Sequence, residues 1–309
     1  MPSSGLLHHA LVYGSPAELA ATVEPLLREG MERGDALFVA TKRSNIDALR
    51  AALGGDAALV ELHDTDAWQT RPAGRLVAVR RMLDGLAPGR ELLAFGEPVW
   101  SGPDAVQREW ARYESVINSA LASAPLRFFC LYDSSALPDE ILGHGLCTHS
   151  HVVEGGATRV SGDFTPPEQF VPSLGAADSE APNGDVRELD FDGDHHSFRV
   201  ALSRMAHERG VEGERAEDLV IAANEVSTNA LRHATPPIGA RVWTTGDQLV
   251  CEISDSGPGI DDPLAGWALP DHLTPGGWGL PLSRRLCDAL EIAADGGGSR
   301  VRLYVSLPG

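Results

Sequence analysis

The chain has 309 residues, a formal net charge of −19 from 44 acidic and 25 basic side chains, 43% apolar residues and four cysteines. At roughly 150 residues per domain, this length predicts two domains, each large enough for its own core. The acidic balance argues against a nucleic-acid or anionic-membrane surface, because the mean field repels phosphate.

Lys42 is the single lysine, so chemistry that needs a phosphate-binding lysine has one candidate. The opening MPSSGLLHHALVYG has no basic leader region, and no run approaches the ~18 apolar residues of a membrane span; a soluble, cytoplasmic protein is expected. Cys130, Cys147, Cys251 and Cys287 lie far apart without a CxxC pair, so they read as buried free thiols.

Through residues 1–162, short apolar runs alternate with amphipathic stretches. The runs at 10–13, 36–40, 57–62, 92–95 and 126–132 predict buried strands. The stretches 16–32 after a Ser15 cap, 45–53 after Ser44, 73–86 and 104–123 predict helices. This alternation predicts an α/β domain with a mostly parallel sheet, whose ligands collect at the carboxyl ends of strands. Lys42, Arg43, His63, Glu97, Trp100, Tyr132 and Asp133 stand at such ends. Taken singly, Trp100 and Tyr132 read as packing aromatics and Glu97 as a structural acceptor. Cys147, His149 and His151 come from one loop, which does not complete a metal shell.

Residues 163–186 are rich in Pro, Gly, Ser and acid and read as a linker. Beyond it come a weak strand at 187–191 and helices at 197–209 and 215–233. Apolar Leu219, Val220, Ala223, Val226, Ala230 and Leu231 mark the second helix. Strands at 239–244 and 248–255 form a hairpin, followed by a glycine-rich stretch, a helix at 280–289 and a strand at 300–307. The pattern predicts an α+β two-layer sandwich, helices on a mixed or antiparallel sheet.

Three motifs in this half carry chemistry. In EVSTNALRHA, Glu225 and Asn229 are four apart and share a helix face. A carboxylate there can take a proton, and an amide oxygen suits Mg²⁺. In DSGPGI, Asp255 ends a strand before Gly257 and Gly259. In PGGWGLPLSRRL, Gly276, Gly277 and Gly279 precede a helix whose first N–H groups form an anion site.

This ordered set resembles the N, G1 and G2 boxes of the GHKL ATPase family, with its Bergerat-type nucleotide fold, over residues 195–309. The resemblance implies ATP and Mg²⁺ as cofactors, with Asn229 ligating the metal, Asp255 accepting from the adenine amino group, and Gly257 and Gly259 shaping the adenine pocket. Gly277, Gly279 and Leu280 would meet the phosphates, and 261–275 would form an ATP lid. Arg232 is either a phosphate contact or a surface arginine. No Walker lysine is needed, and GSPAELAA after the first strand lacks GxxxxGK[ST].

Residues 197–234 resemble the anti-sigma-factor serine kinases of partner-switching systems, which implies that Glu225 is the general base and that the partner is a sigma factor, an anti-anti-sigma protein or both. A homodimer is compatible with that family. Two alternatives stand beside it: an ATP-dependent binding module without phosphoryl transfer, and a divergent histidine kinase using His195, His196 or His207. The N-terminal half is similar to the MEDS sensory domain through LHHALVYGSPAEL, FGEPVW, RYESVIN, CLYDSSALPDEIL and THSHVVEGG, with Ser150 where the family pattern has proline. That similarity implies a small-molecule signal of unstated identity.

Overall fold

The computed structural model describes residues 5–68, 71–175, 185–189, 191, 194–233, 238–268, 277–294 and 297–308. Two compact units are present, Met1–Ser101 with Trp110–Phe170, and Gly102–Glu109 with Val171–Gly309. Among the described residues, no helix is long and apolar enough to cross a membrane.

The N-terminal elements run β1 (Leu7–Tyr13), α1 (Pro16–Arg33), β2 (Ala36–Thr41), α2 (Arg43–Leu53), β3 (Glu61–Asp64), α3 (Pro72–Asp84), β4 (Leu92–Gly96), α4 (Asp104–Ala120), β5 (Leu126–Asp133), α5 (Asp139–Thr148), β6 (His151–Glu154) and β7 (Ala157–Val160). The strands form one sheet in the order β3-β2-β4-β5-β1-β6-β7. Every pairing is parallel except β6 with β7, so the expected mostly parallel sheet is present. Leu11, Tyr13, Val39, Leu93, Phe95, Phe129 and Leu131 bury one face against Leu19, Val23, Leu27 and Leu49 of α1 and α2. Strand alternation turns His8, Ala10, Phe128, Cys130 and Tyr132 to the opposite face.

Several boundaries differ from the sequence expectation. Ser15 caps α1 by accepting from Glu18 N at 3.2 Å. Ser44 does not cap α2, which starts at Arg43 with Lys42 at the cap position. The Lys42 N–H donates instead to Glu97 at 3.1 Å, so a tertiary contact sets that helix start. Within the run at 57–62, residues 57–59 close a 3-10 turn, Gly54–Leu59, and β3 begins only at Glu61. Within 163–186, α6 (Pro167–Ser173) is a short helix, a correction to an unstructured reading; residues 176–184 lie outside the described set.

The C-terminal elements are β8 (Arg187–Leu189), α7 (His195–Glu208), α8 (Gly213–His233), β9 (Gly239–Thr245), β10 (Gln248–Ser254), α9 (Gly279–Leu286), β11 (Ala289–Ala294) and β12 (Ser299–Ser306). Their sheet is antiparallel throughout, in the order β11-β12-β10-β9-β8. Phe198, Leu202, Leu219, Ala223 and Val226 of α7 and α8 pack on Val242, Leu249, Cys251, Ile253, Leu303 and Val305, giving the expected two layers. Leu231 is 44% exposed and takes no part in that core. The helix expected at 280–289 ends at Leu286, and β11 follows. Leu290 and Ile292 alternate with the strand period, and residues 289–294 pair with β12.

Candidate functional site

In the C-terminal unit, α8, β10, the loop after it, α9 and β12 enclose a cavity of about 560 Å³. Asn229 and Arg232 reach it from α8, Asp255 and Gly259 from the end of β10, and Gly277, Gly279 and Leu280 from the start of α9. Thus residues from all three motifs meet in one cavity. Glu225 is half-buried one turn before Asn229 and does not line it; nor does Gly257. Gly276 and residues 269–275 of the expected lid lie outside the described residues.

The site is built by close backbone approach. A Cβ on Gly279 would stand 2.7 Å from Asn229 Nδ2, so only glycine leaves the Asn229 amide its place over the start of α9. Ser283 Oγ sits at that approach, its one proton within reach of both Gly279 O at 2.9 Å and Ala222 O at 3.1 Å. Trp278 at the cap position supplies no side-chain capping bond, and the first intrahelical bond runs from Leu282 N to Trp278 O at 2.9 Å. The Gly279 and Leu280 N–H groups therefore have no intrahelical acceptor, while Pro281 has no N–H at all. Two donors at a helix start facing a cavity suit an anion.

Asp255 is held from two sides. Its N–H donates to Ser299 O at 3.0 Å, prolonging the strand ladder, and its Oδ1 accepts from Gly257 N at 2.8 Å. Gly257 thus contributes through its amide. A Cβ on Gly298 would fall 1.7 Å from Asp255 O, so the chain passing behind this aspartate must also be glycine. Arg284 holds the first part of the lid segment: its Nε donates to Ala265 O at 3.0 Å and its guanidinium lies 4.8 Å over the Trp267 ring. Gly298, Ser299, Trp267 and Arg284 were not singled out by sequence, since each acts through a partner distant along the chain. Burial, and then Glu252, push the Cys251 thiol up to about 12, so it stays a neutral core group.

At the strand ends of the N-terminal unit, Lys42, Glu97 and Asp133 are joined. Lys42 Nζ lies 3.1 Å from Glu97 Oε1 and 3.0 Å from Asp133 Oδ2. Partial burial opposes the Lys42 charge, but these carboxylates outweigh it and raise its pKa. Buried Glu97 also accepts from Tyr13 OH at 2.8 Å, Thr41 Oγ1 at 2.5 Å and Asn45 Nδ2 at 3.3 Å, as a structural acceptor does. Tyr132 and Trp100 pack with ring centroids 6.1 Å apart. His63 stacks on Phe38, and Arg43 is exposed near Asp47.

Residues 7–150 match the MEDS family, the methanogen/methylotroph DcmR sensory domain, and residues 193–305 match the histidine kinase-like ATPase domain family. The serine-protein kinase RsbW of Bacillus licheniformis is 31% identical over 113 residues, 32% of this chain and 71% of that protein. The chain belongs to the RsbW serine-protein kinase family. RsbW of Bacillus pumilus is 32% identical over 115 residues, 32% of this chain and 71% of that protein. A structure of RsbU and RsbW domains from Mycobacterium tuberculosis aligns with a TM-score of 0.30 at 19% identity, over 40% of this chain and 33% of that one. In this chain the MEDS match precedes the ATPase match.

Proposed function

We propose that this RsbW-family chain is a signalling regulator that binds Mg·ATP in its C-terminal unit and phosphorylates a serine or threonine of a protein partner, under control of its MEDS domain. The observation that carries the proposal is the cavity lined together by Asn229, Asp255 and the start of α9 at Gly279 and Leu280. Asp255 would orient adenine, Asn229 would hold Mg²⁺, and the start of α9 would take phosphate oxygens. Gly257 and Gly259 would shape the adenine pocket, with Arg232 at its phosphate end. Phosphoryl transfer calls mainly for positioning and charge neutralisation, and Glu225, on the Asn229 face of α8, would accept the partner's hydroxyl proton. The partner would be an anti-anti-sigma protein or a sigma factor, the MEDS signal a small molecule, and the site of action the cytoplasm.

The test is incubation of the full chain with γ-labelled ATP, Mg²⁺ and its cognate anti-anti-sigma protein. Acid-stable label should appear on a serine or threonine of that protein, and Glu225→Ala should abolish it; transfer that survives the substitution refutes the assigned base. A second reading is favoured by Glu225 standing outside the cavity lining: a nucleotide-dependent binding module without transfer. Tight ATP binding that changes partner affinity while no label moves would establish that reading instead.

A further inference from the structure

We propose that the N-terminal unit holds a divalent transition metal, zinc-like in preference, between His8, Glu114, Cys130 and His149. These residues come from four elements: His8 from β1, Cys130 from β5, Glu114 from α4, and His149 from the residue that caps the end of α5. Their ligand atoms all lie within 4.8 Å of one another, and all four side chains are buried, none more than 4% exposed.

The outer hydrogen bonds fix which nitrogen each imidazole turns inward. Asn118 Nδ2 donates to Ser115 O at 3.0 Å and Thr148 O at 2.8 Å, which orients its amide so that Oδ1 faces His8 Nδ1 at 3.1 Å. Nδ1 of His8 therefore carries the proton, and Nε2 presents a lone pair to Cys130 Sγ at 3.3 Å. His149 Nδ1 lies 2.9 Å from Gly145 O, a carbonyl that only accepts. The neighbouring Thr148 hydroxyl donates to His144 O at 2.8 Å, so it too faces Nδ1 as an acceptor. His149 Nε2 is left as a lone pair facing Glu114 Oε2 at 3.4 Å, with no hydrogen-bond partner of its own. Two inward lone pairs, a carboxylate and a thiol make a set rich in acceptors, in which Cys130 supplies a single proton. A carbonyl or amide oxygen holding the outer N–H is the usual support of a metal-ligating histidine.

Geometry and charge agree with a cation at the centre. Bonds of about 2.0–2.3 Å to a tetrahedral zinc place its ligand atoms roughly 3.3–3.8 Å apart, a range that the 3.3 and 3.4 Å pairs already meet. A Cys130 thiolate and a Glu114 carboxylate neutralise a divalent ion, with two neutral imidazoles completing the shell, so the buried assembly carries no net charge. Binding replaces the Cys130 S–H bond with a sulfur–metal bond and releases that proton to solvent. The Tyr132 hydroxyl, donating to Glu114 Oε2 at 3.1 Å, would support the carboxylate. Cys147 and His151, near His149 in sequence, take no part in the cluster.

The experiment uses the full chain, with zinc and cobalt(II) as probes. After saturation with Zn²⁺ and exhaustive dialysis, elemental analysis should find about one zinc per chain. Cobalt(II) should give the intense visible bands of tetrahedral coordination and a thiolate-to-cobalt charge-transfer band. Cys130→Ser should remove the charge-transfer band, His149→Gln should weaken binding at least about tenfold, and Cys147→Ser should change neither. A folded chain that retains no zinc and gives no thiolate–cobalt band overturns the proposal, as does a band that survives Cys130→Ser. The wild-type spectrum decides by itself if a variant fails to fold; in the competing arrangement, an ion pair of protonated His149 with Glu114, no cobalt spectrum appears.

Discussion

Asn229 and Gly279 show how much of this site depends on two atoms being allowed to approach. The Gly279→Ala substitution puts a methyl group 2.7 Å from Asn229 Nδ2, so the amide must rotate off the helix start. We expect about a tenfold loss of Mg·ATP affinity by calorimetric titration, with far-ultraviolet dichroism unchanged. Asp255→Asn keeps the shape but replaces a carboxylate oxygen in a half-buried position. At about 1.5–3 kcal/mol for a hydrogen bond to a charged group, nucleotide affinity should fall about 10–100-fold; an unchanged affinity would remove Asp255 from the adenine pocket. Asn229 and Asp255 were legible in the sequence because their motifs carry residue type and spacing together. Gly298 was not, because the requirement comes from Asp255 O, which approaches it only in the folded chain.

At the scale of elements, local chemistry decided helix starts where nothing tertiary competed. Ser15 caps α1, and Glu18 Oε2 returns the favour by accepting from Gly14 N at 2.8 Å. Ser15→Ala should cost about 1 kcal/mol, read as a lower urea midpoint. At α2, by contrast, Glu97 holds the Lys42 amide and the serine signal is overruled. A charge ladder crosses the second sheet, where Glu252 stands in register with Arg241 on β9 and Arg302 on β12. Burial favours the neutral acid, but hydrogen bonds from Arg241 and Arg302 outweigh it and hold Glu252 below the usual carboxylate range. A depressed carboxylate contributes stability that is complete above its unfolded pKa of about 4.3 and is lost as pH falls through the lower folded value. Glu252→Gln should therefore destabilise the protein by about 2 kcal/mol at neutral pH, and its deficit should shrink below pH ~4. A deficit independent of pH would assign the effect to packing.

For the whole molecule, the net charge of −19 bears on nucleotide binding. A triphosphate entering an acidic chain needs local neutralisation, which the α9 amides and a metal ion provide. Mg·ATP at one hundred times its Kd should stabilise the unit that holds the cavity by about 2.7 kcal/mol, with hydrogen exchange slowed in α8 and α9. Chelating Mg²⁺ should remove most of that protection; full protection by ATP alone would exclude Asn229 from a metal-holding role.

The sequence by itself determined the two fold classes, the strands and helices with long unbroken periodicity, the capping of α1 and the nucleotide motifs. These signals are local, carried by residue type and spacing within a few turns of chain. Only the tertiary structure decided that α9 stops at Leu286 and yields to β11, because β12 supplies the ladder partner that holds residues 289–294 extended. It also decided which histidines matter together. His149 looked like a neighbour of Cys147 and His151, yet strand parity and the packing of α4 gather it instead with His8, Glu114 and Cys130, from positions up to 141 residues away. A constellation drawn from four elements has no spacing to read, and it exists only once the sheet has brought its strands into register.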